Sequence, residues 1–259
     1  MMKLSVSAWS FDQKIRSGEW DTAQFVTAMG GLDVDAVDLN TRYLPELSED
    51  ALRPVKEASI RATMPFSALR CVNDFGDPDS EGQLRYMDTV LRAATFLGAP
   101  RIRVYAGWPK DDYERDWKTM LDTLRRAADR AGEYGVQLII ENHNHGGFLQ
   151  TSEQVLAVLD AVQHPALGLL LDPGNYLDGM TSVVATADRA VWLDLKIWEM
   201  TEEGGDAGLD YPEIIRTVHA TGFDGYCSVE YEPKDRSHEY EDVQRAIRYF
   251  RPLLSPAGD

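Results

Sequence analysis

The 259-residue sequence predicts a single α/β domain spanning residues 1–259, a (β/α)8 barrel. Three observations carry this: short apolar, β-branched runs recur roughly every 30 residues, amphipathic stretches lie between them, and glycines mark the passage from helix to strand. The first run, Leu4 to Ala8, leads into Trp9 and Ser10 without the Gly-rich phosphate turn that a doubly wound open sheet places after its first strand. Val34 to Leu39 is the second run, and Ser48 with Glu49 and Asp50 then reads as a helix N-terminus. The third is Phe66 to Val72. Gly98 closes a helical stretch ahead of the fourth, Ile102 to Ala106. Trp117, Met120, Leu121, Leu124, Ala128 and Ala131 then follow the spacing of a helix that buries one face, and Gly135 closes it before Val136 to Glu141. Thr151, Ser152 and Glu153 open the next helix, and Leu167 to Asp172 and Val191 to Ile197 follow. Gly222 precedes the eighth run, Tyr226 to Tyr231. Nothing resembles a linker, a short repeat or a low-complexity tract, so one domain is expected.

Composition narrows the function classes. Lys and Arg number 26 against 43 Asp and Glu, a formal charge of −17, and so acidic a chain repels phosphate backbones; nucleic acid is not the expected partner. No apolar stretch approaches the roughly 20 residues needed to span a bilayer, and no basic-then-apolar leader opens the chain, so neither a membrane nor export is expected. Cys71 and Cys227 are far apart in apolar contexts and suggest no disulfide framework or thiolate metal cluster, which fits the cytoplasm.

In a barrel, chemistry comes from polar residues that end otherwise apolar strands. Four such ends carry carboxylates. The fifth run stops at Glu141-Asn142-His143-Asn144-His145 and the sixth at Asp172-Pro173-Gly174-Asn175; the seventh holds Asp194 and Lys196, the eighth Glu230 and Glu232. With a side-chain period of two, Glu141 shares a face with His143, Asp194 with Lys196 and Glu230 with Glu232. Carboxylates converging on one low-dielectric mouth require protons, basic neighbours or a cation, and a divalent metal is the economical expectation. Oxygen donors favour manganese or magnesium, with zinc or cobalt second. The alternative is that these acids cap helices or pair with arginines, the ordinary fate of any one of them alone.

The stretch Ile139-Ile140-Glu141-Asn142-His143, with Gly146-Gly147, Thr151-Ser152-Glu153-Gln154 and Leu167 to Asn175, resembles the sugar phosphate isomerase/epimerase family of xylose isomerase-like TIM barrels, the AP endonuclease family 2 superfamily. Gly222-Phe223-Asp224-Gly225-Tyr226 leading to Glu230-Tyr231-Glu232 is similar to that family's last strand, and Leu97-Gly98-Ala99 to its approach to the fourth. The resemblance implies a metal held by Glu141, Asp172, the strand-seven position Asp194, and Glu230. Strand seven departs from the pattern: the family's His-x-Lys-Asp reads Asp194-Leu195-Lys196-Ile197 here. An aspartate can ligate the same hard cation, giving an all-carboxylate set; alternatively it accepts a proton or pairs with Lys196, and the site is weakened or lost.

The implied chemistry is that of a metal-dependent isomerase or epimerase acting on a keto sugar or sugar phosphate. A cation bound to neighbouring oxygens acidifies the adjacent C–H, and Glu141 and Glu230 move protons on either side of an enediolate. His143 is a candidate proton donor or substrate ligand. Lys196 and Arg103 are candidates for binding a substrate oxyanion or hydroxyl, or for structural ion pairs, and Asn175 for substrate binding. Trp9, Trp108 and Trp198 are candidates for a flat wall against a sugar face, Trp108 foremost, with ordinary packing as the alternative. A dehydratase acting on an inosose or dehydroshikimate-type ketone uses the same enediolate, and a non-catalytic barrel that has lost its strand-seven ligand is a further alternative. A repair nuclease is disfavoured, because that branch needs three zinc ions and many histidines while this chain has five. Pairing of barrels through their outer helices is also implied.

Overall fold

A computed structural model describes residues 1–255. Eight parallel strands close in sequence order: β1 (Lys3–Ser7), β2 (Ala36–Asn40), β3 (Phe66–Arg70), β4 (Arg101–Tyr105), β5 (Gln137–Glu141), β6 (Leu167–Leu171), β7 (Ala190–Ile197) and β8 (Tyr226–Tyr231), with β8 pairing back to β1. Closure removes the sheet edges that an open arrangement would expose. The helices are α1 (Asp12–Arg16), α2 (Thr22–Met29), α3 (Glu49–Ala62), α4 (Ser80–Leu97), α5 (Tyr113–Glu133), α6 (Ser152–Val162), α7 (Met180–Thr186), α8 (Tyr211–His219) and α9 (Glu239–Leu254). None of them is long and apolar enough to cross a membrane.

Every expected strand is present, with edges shifted by one or two residues, most at the start of β2 and the end of β3. Val34 and Asp35 precede β2 in a turn whose Val34 N–H donates to the Leu32 carbonyl and whose Asp35 carboxylate accepts the Leu4 N–H. Gly98, Gly135 and Gly222 take positive φ values of 82°, 66° and 87°, which a left-handed helix terminus requires. Ser48 occupies the expected N-cap of α3, although its hydroxyl donates to Glu46 and makes no cap bond. The Gln154 side chain accepts from the backbone N–H groups of Gln150 and Thr151 at the start of α6.

Two apolar regions position the site. Outward-facing strand residues such as Val6, Leu39, Leu69, Ile102, Ile140 and Leu193 pack under the helices, and α5 contributes Met120, Leu124, Ala128 and Ala131 from the stripe read in the sequence. Inside the barrel, Ala68, Ile139, Leu170 and Trp192 form a separate plug. Each of these four lies two residues before a charged group on the same strand face: Arg70, Glu141, Asp172 and Asp194. The period of two therefore sets a charged layer directly on a dry floor.

Candidate active site

The charged layer holds five buried carboxylates, Asp38, Glu141, Asp172, Asp194 and Glu230, among three buried cations, Arg70, Arg103 and Lys196. Arg70, at the end of β3, organises one side. Its Nη2 and Nη1 donate to the two oxygens of Asp194 at 2.7 and 2.8 Å, its Nε to Asp38 at 2.6 Å, and Nη1 also to Glu230 at 3.2 Å. Asp38 accepts a further bond from Ser228, and Asp194 one from the Trp192 indole at 2.8 Å. Lys196 organises the other side, with Nζ 3.2 Å from Asp172, 3.3 Å from Glu230 and 3.0 Å from Glu232. Its three N–H donors thus have three carboxylates within reach. Arg103 lies on Glu141, Nε to Oε2 at 3.1 Å but misaligned for a hydrogen bond, while its Nη1 donates to the Cys71 carbonyl.

The mouth does bring Glu141, Asp172, Asp194 and Glu230 into one layer, together with Arg103, His143, Asn175 and Lys196. Arg70 and Asp38 were not expected. Basic neighbours supply most of the compensation that the sequence had suggested a metal would provide, and two formal negative charges remain in the layer.

Asparagine side chains fix the carboxylate-bearing strand ends. Asn142 donates Nδ2 to the Asp172 carbonyl and accepts the Asp172 N–H, each at 2.8 Å, which clamps the end of β5 to that of β6. Asn175 donates Nδ2 to Asp172 at 2.8 Å and Glu141 at 3.1 Å, leaving its Oδ1 buried without a donor. Glu141 Oε2 is likewise buried without a hydrogen-bond donor.

Environment separates the carboxylates. Burial raises Glu141, against the pull of Arg103. Burial also raises Asp172, to about 7, with Lys196 opposing. Burial would raise Glu230 too, but Lys196 and then Arg70 overcome it and hold this acid well below the ordinary carboxylate range. Such a split suits a pair in which one carboxyl holds a proton more readily than the other, which stays charged.

His143 lies edge-on to Tyr105 at 4.8 Å and 4.7 Å from the His145 ring. Burial, then the neighbouring His145, Arg103 and Lys196, lower its pKa from 6.5 to about 4. The imidazole is therefore neutral at pH 7, suited to accepting a hydrogen bond rather than to acting as an imidazolium acid. Because its folded pKa is depressed, its contribution to stability is present above pH 6.5 and is lost as pH falls from 6.5 towards about 4. Urea unfolding across that window is expected to show the loss, and His143→Asn to flatten the slope; equal slopes in the two proteins would contradict the assignment.

A cavity of 230 Å³ opens over the layer, lined by Trp9, Asn40, Arg42, Arg103, Tyr105, Glu141, His143, Asn175, Lys196 and Glu230 among others. Trp9 and Tyr105 are the aromatic side chains on this cavity, beside the His143 and His145 imidazoles. Trp108 sits outside its lining, behind His143, with Nε1 donating to the His145 carbonyl. Trp198 is partly exposed beside Lys196 and lines a neighbouring depression instead.

One carboxylate oxygen from each of Glu141, Asp172 and Asp194 lies within 4.8 Å of the others, so this buried acidic triad could hold a metal ion. The donors fit such a group. Glu141 Oε2 has no donor, and Asp194 Oδ2 accepts only from Arg70 Nη1, so it retains a lone pair. Oxygen-only donors with two uncompensated charges match a hard divalent cation better than a soft one.

Comparison with known proteins agrees with this architecture. A family model described as "Xylose isomerase-like TIM barrel" matches residues 26–253. The chain is 24% identical to a 2-oxo-tetronate isomerase of Pectobacterium atrosepticum over 169 residues, 61% of this chain and 64% of that protein. It is 27% identical to an inosose dehydratase of Bacillus velezensis, over 56% of this chain and 57% of that one. The chain thus spans roughly half to two thirds of the length of these curated relatives. Among solved structures, a D-psicose 3-epimerase from Clostridium cellulolyticum superposes with a TM-score of 0.79 at 16% identity, covering 98% of this chain and all of that one. A 3-keto-D-glucoside 4-epimerase from E. coli superposes with 0.74 at 15% identity, covering 98% and 99%. At such identities the superpositions speak to the fold.

Proposed function

Because the chain belongs to the xylose isomerase-like TIM-barrel family, we propose that it is a metal-dependent isomerase or epimerase of a keto sugar or closely related polyol ketone. The observation that carries this reading is the pair of differently tuned carboxylates, Glu141 raised and Glu230 held ionised, facing one small cavity over an acidic triad.

Glu141, Asp172 and Asp194 would hold the ion, with Glu230, outside that triad and paired with Arg70 and Lys196, as a fourth ligand by the family's pattern; manganese or magnesium suits their oxygen chemistry. When bound, it supplies positive charge that polarises a substrate carbonyl. The chain's own residues do the rest. Glu141, the stronger base because burial raises it, takes the proton from the carbon beside the carbonyl. Asn175 fixes its other oxygen, and Asn142 holds the neighbouring Asp172 in place. Lys196 and Arg103 keep cationic charge beside the developing oxyanion. Return of a proton to the neighbouring carbon gives the isomer, and return to the opposite face gives the epimer. Loss of a β-hydroxyl from the same intermediate is the dehydratase reading, which the inosose dehydratase relatives favour.

The test is turnover of a panel of keto sugars and inososes by protein dialysed against chelator and then refilled with manganese or magnesium. Conversion is expected to fall at least tenfold on chelation and to return on refilling, with elemental analysis showing about one ion per chain. Absence of both conversion and bound metal would contradict the proposal and favour a binding barrel.

A further inference from the structure

We propose that the β1–β2 side of the cavity is an oxyanion subsite built from Arg42 and Trp9, so that the substrate is an acidic sugar carrying a carboxylate or phosphate at the end remote from the reacting carbonyl. The inference rests on the functional reading above and adds the substrate class.

Three cations line the cavity, and two are committed: Lys196 to Asp172, Glu230 and Glu232, Arg103 to Glu141. Arg42 is the third. It lies in the turn Thr41–Tyr43 after β2, and its guanidinium has no hydrogen-bond or ion-pair partner among the described residues. Its one contact of note is with the Trp9 ring, 5.2 Å away. Arg236 lies 5.5 Å from the same ring and donates Nη1 to the Trp9 carbonyl at 2.8 Å, so two guanidinium groups contact the indole. Trp9 Nε1 is buried and has no acceptor. Indole N–H groups cut off from water normally have a partner, and the described residues offer this one none, which suits an acceptor on a ligand.

Location settles what that acceptor is. In a closed barrel of eight strands in sequence order, β1 and β2 lie across from β5 and β6, which carry Glu141, Asp172 and Asn175. An anion beside Glu141 and Asp172 would be repelled, whereas beside Arg42 it meets an uncommitted planar donor and a second N–H. Glu230 and Glu232, on and just after the neighbouring β8, are both paired with Lys196. At 230 Å³ the cavity suits a single small sugar rather than an oligosaccharide. A keto sugar acid would place its carbonyl over Glu141 and its anionic end on Arg42.

The experiment is calorimetric titration of the metal-loaded protein with three unreactive six-carbon probes: D-gluconate, D-sorbitol 6-phosphate and D-sorbitol. One or both anions are expected to bind about tenfold or more tighter than sorbitol, and which anion wins distinguishes carboxylate from phosphate. Arg42→Gln is expected to abolish the preference, Arg42→Lys to keep part of it, and Trp9→Phe, which keeps a ring but removes the N–H, to weaken the anions selectively. Equal affinity for all three probes, binding of none, or a preference unchanged in Arg42→Gln would overturn the proposal. Conversion of uncharged keto sugars as efficient as that of acidic ones would discard the subsite while leaving the reaction intact; Arg42-dependent anion binding without any conversion would do the reverse.

Discussion

Arg70→Met is expected to lower the free energy of unfolding by about 3–5 kcal/mol, the usual cost of removing one partner from a buried ion pair. The guanidinium is only 1% exposed and contacts Asp38, Asp194 and Glu230, themselves almost wholly buried. Deleting it leaves carboxylates on a dry floor of Ala68, Ile139, Leu170 and Trp192 with no mobile group able to replace five donors. The orphaned acids can escape only by taking up protons, which raises their folded pKa values. The deficit should therefore be largest at alkaline pH and shrink as the medium is acidified towards the unfolded-state carboxylate pKa. Urea denaturation followed by circular dichroism at several pH values measures both. A loss under 1 kcal/mol, or one independent of pH, would mean that Arg70 does not compensate these charges. Arg70→Lys should recover little, because one ammonium cannot reproduce the two-pronged bond to Asp194.

Glu141→Gln is expected to reduce kcat by about 10²- to 10⁴-fold with a small change in KM, the range that follows loss of a positioned acid–base group. The substitution is close to isosteric, and the amide oxygen can still accept from Asn175 Nδ2, so the fold and the cavity should persist. A melting temperature near that of wild type accompanying the loss of rate separates a chemical role from a structural one. Equal losses of kcat and stability would instead make Glu141 a partner for Arg103 and nothing more.

The barrel was legible because its signals are local and periodic. Runs such as Val136 to Glu141 and Leu167 to Asp172 show both the strand and the point at which it turns polar, and alternation then fixes which polar groups share a face. Glu141, Asp172, Asp194 and Glu230 were accessible by that route. Arg70 was not, although it too ends a strand: it lies within Phe66 to Val72, which reads as an apolar run, and its partner Asp194 is 124 residues away. Asp38 was hidden in the same manner inside β2. Which acid meets which base across a barrel depends on register and tilt, and no spacing along one chain encodes it. Which of Trp9 and Trp108 lines the cavity was hidden for a related reason. Both follow strands, but Trp108 turns behind His143 while Trp9 is held over the cavity by Arg42 and Arg236.

Removal of a proton from carbon beside a carbonyl is the step proposed for this mouth, and proton NMR in deuterium oxide reads it whatever product forms. Metal-loaded protein is incubated with uncharged and acidic keto sugars. At least one substrate is expected to lose the signal of a single C–H adjacent to its carbonyl, and Glu141→Gln to slow the loss at least about a hundredfold. A wild-type protein that carries its metal, binds the sugars and exchanges no carbon-bound proton would contradict it.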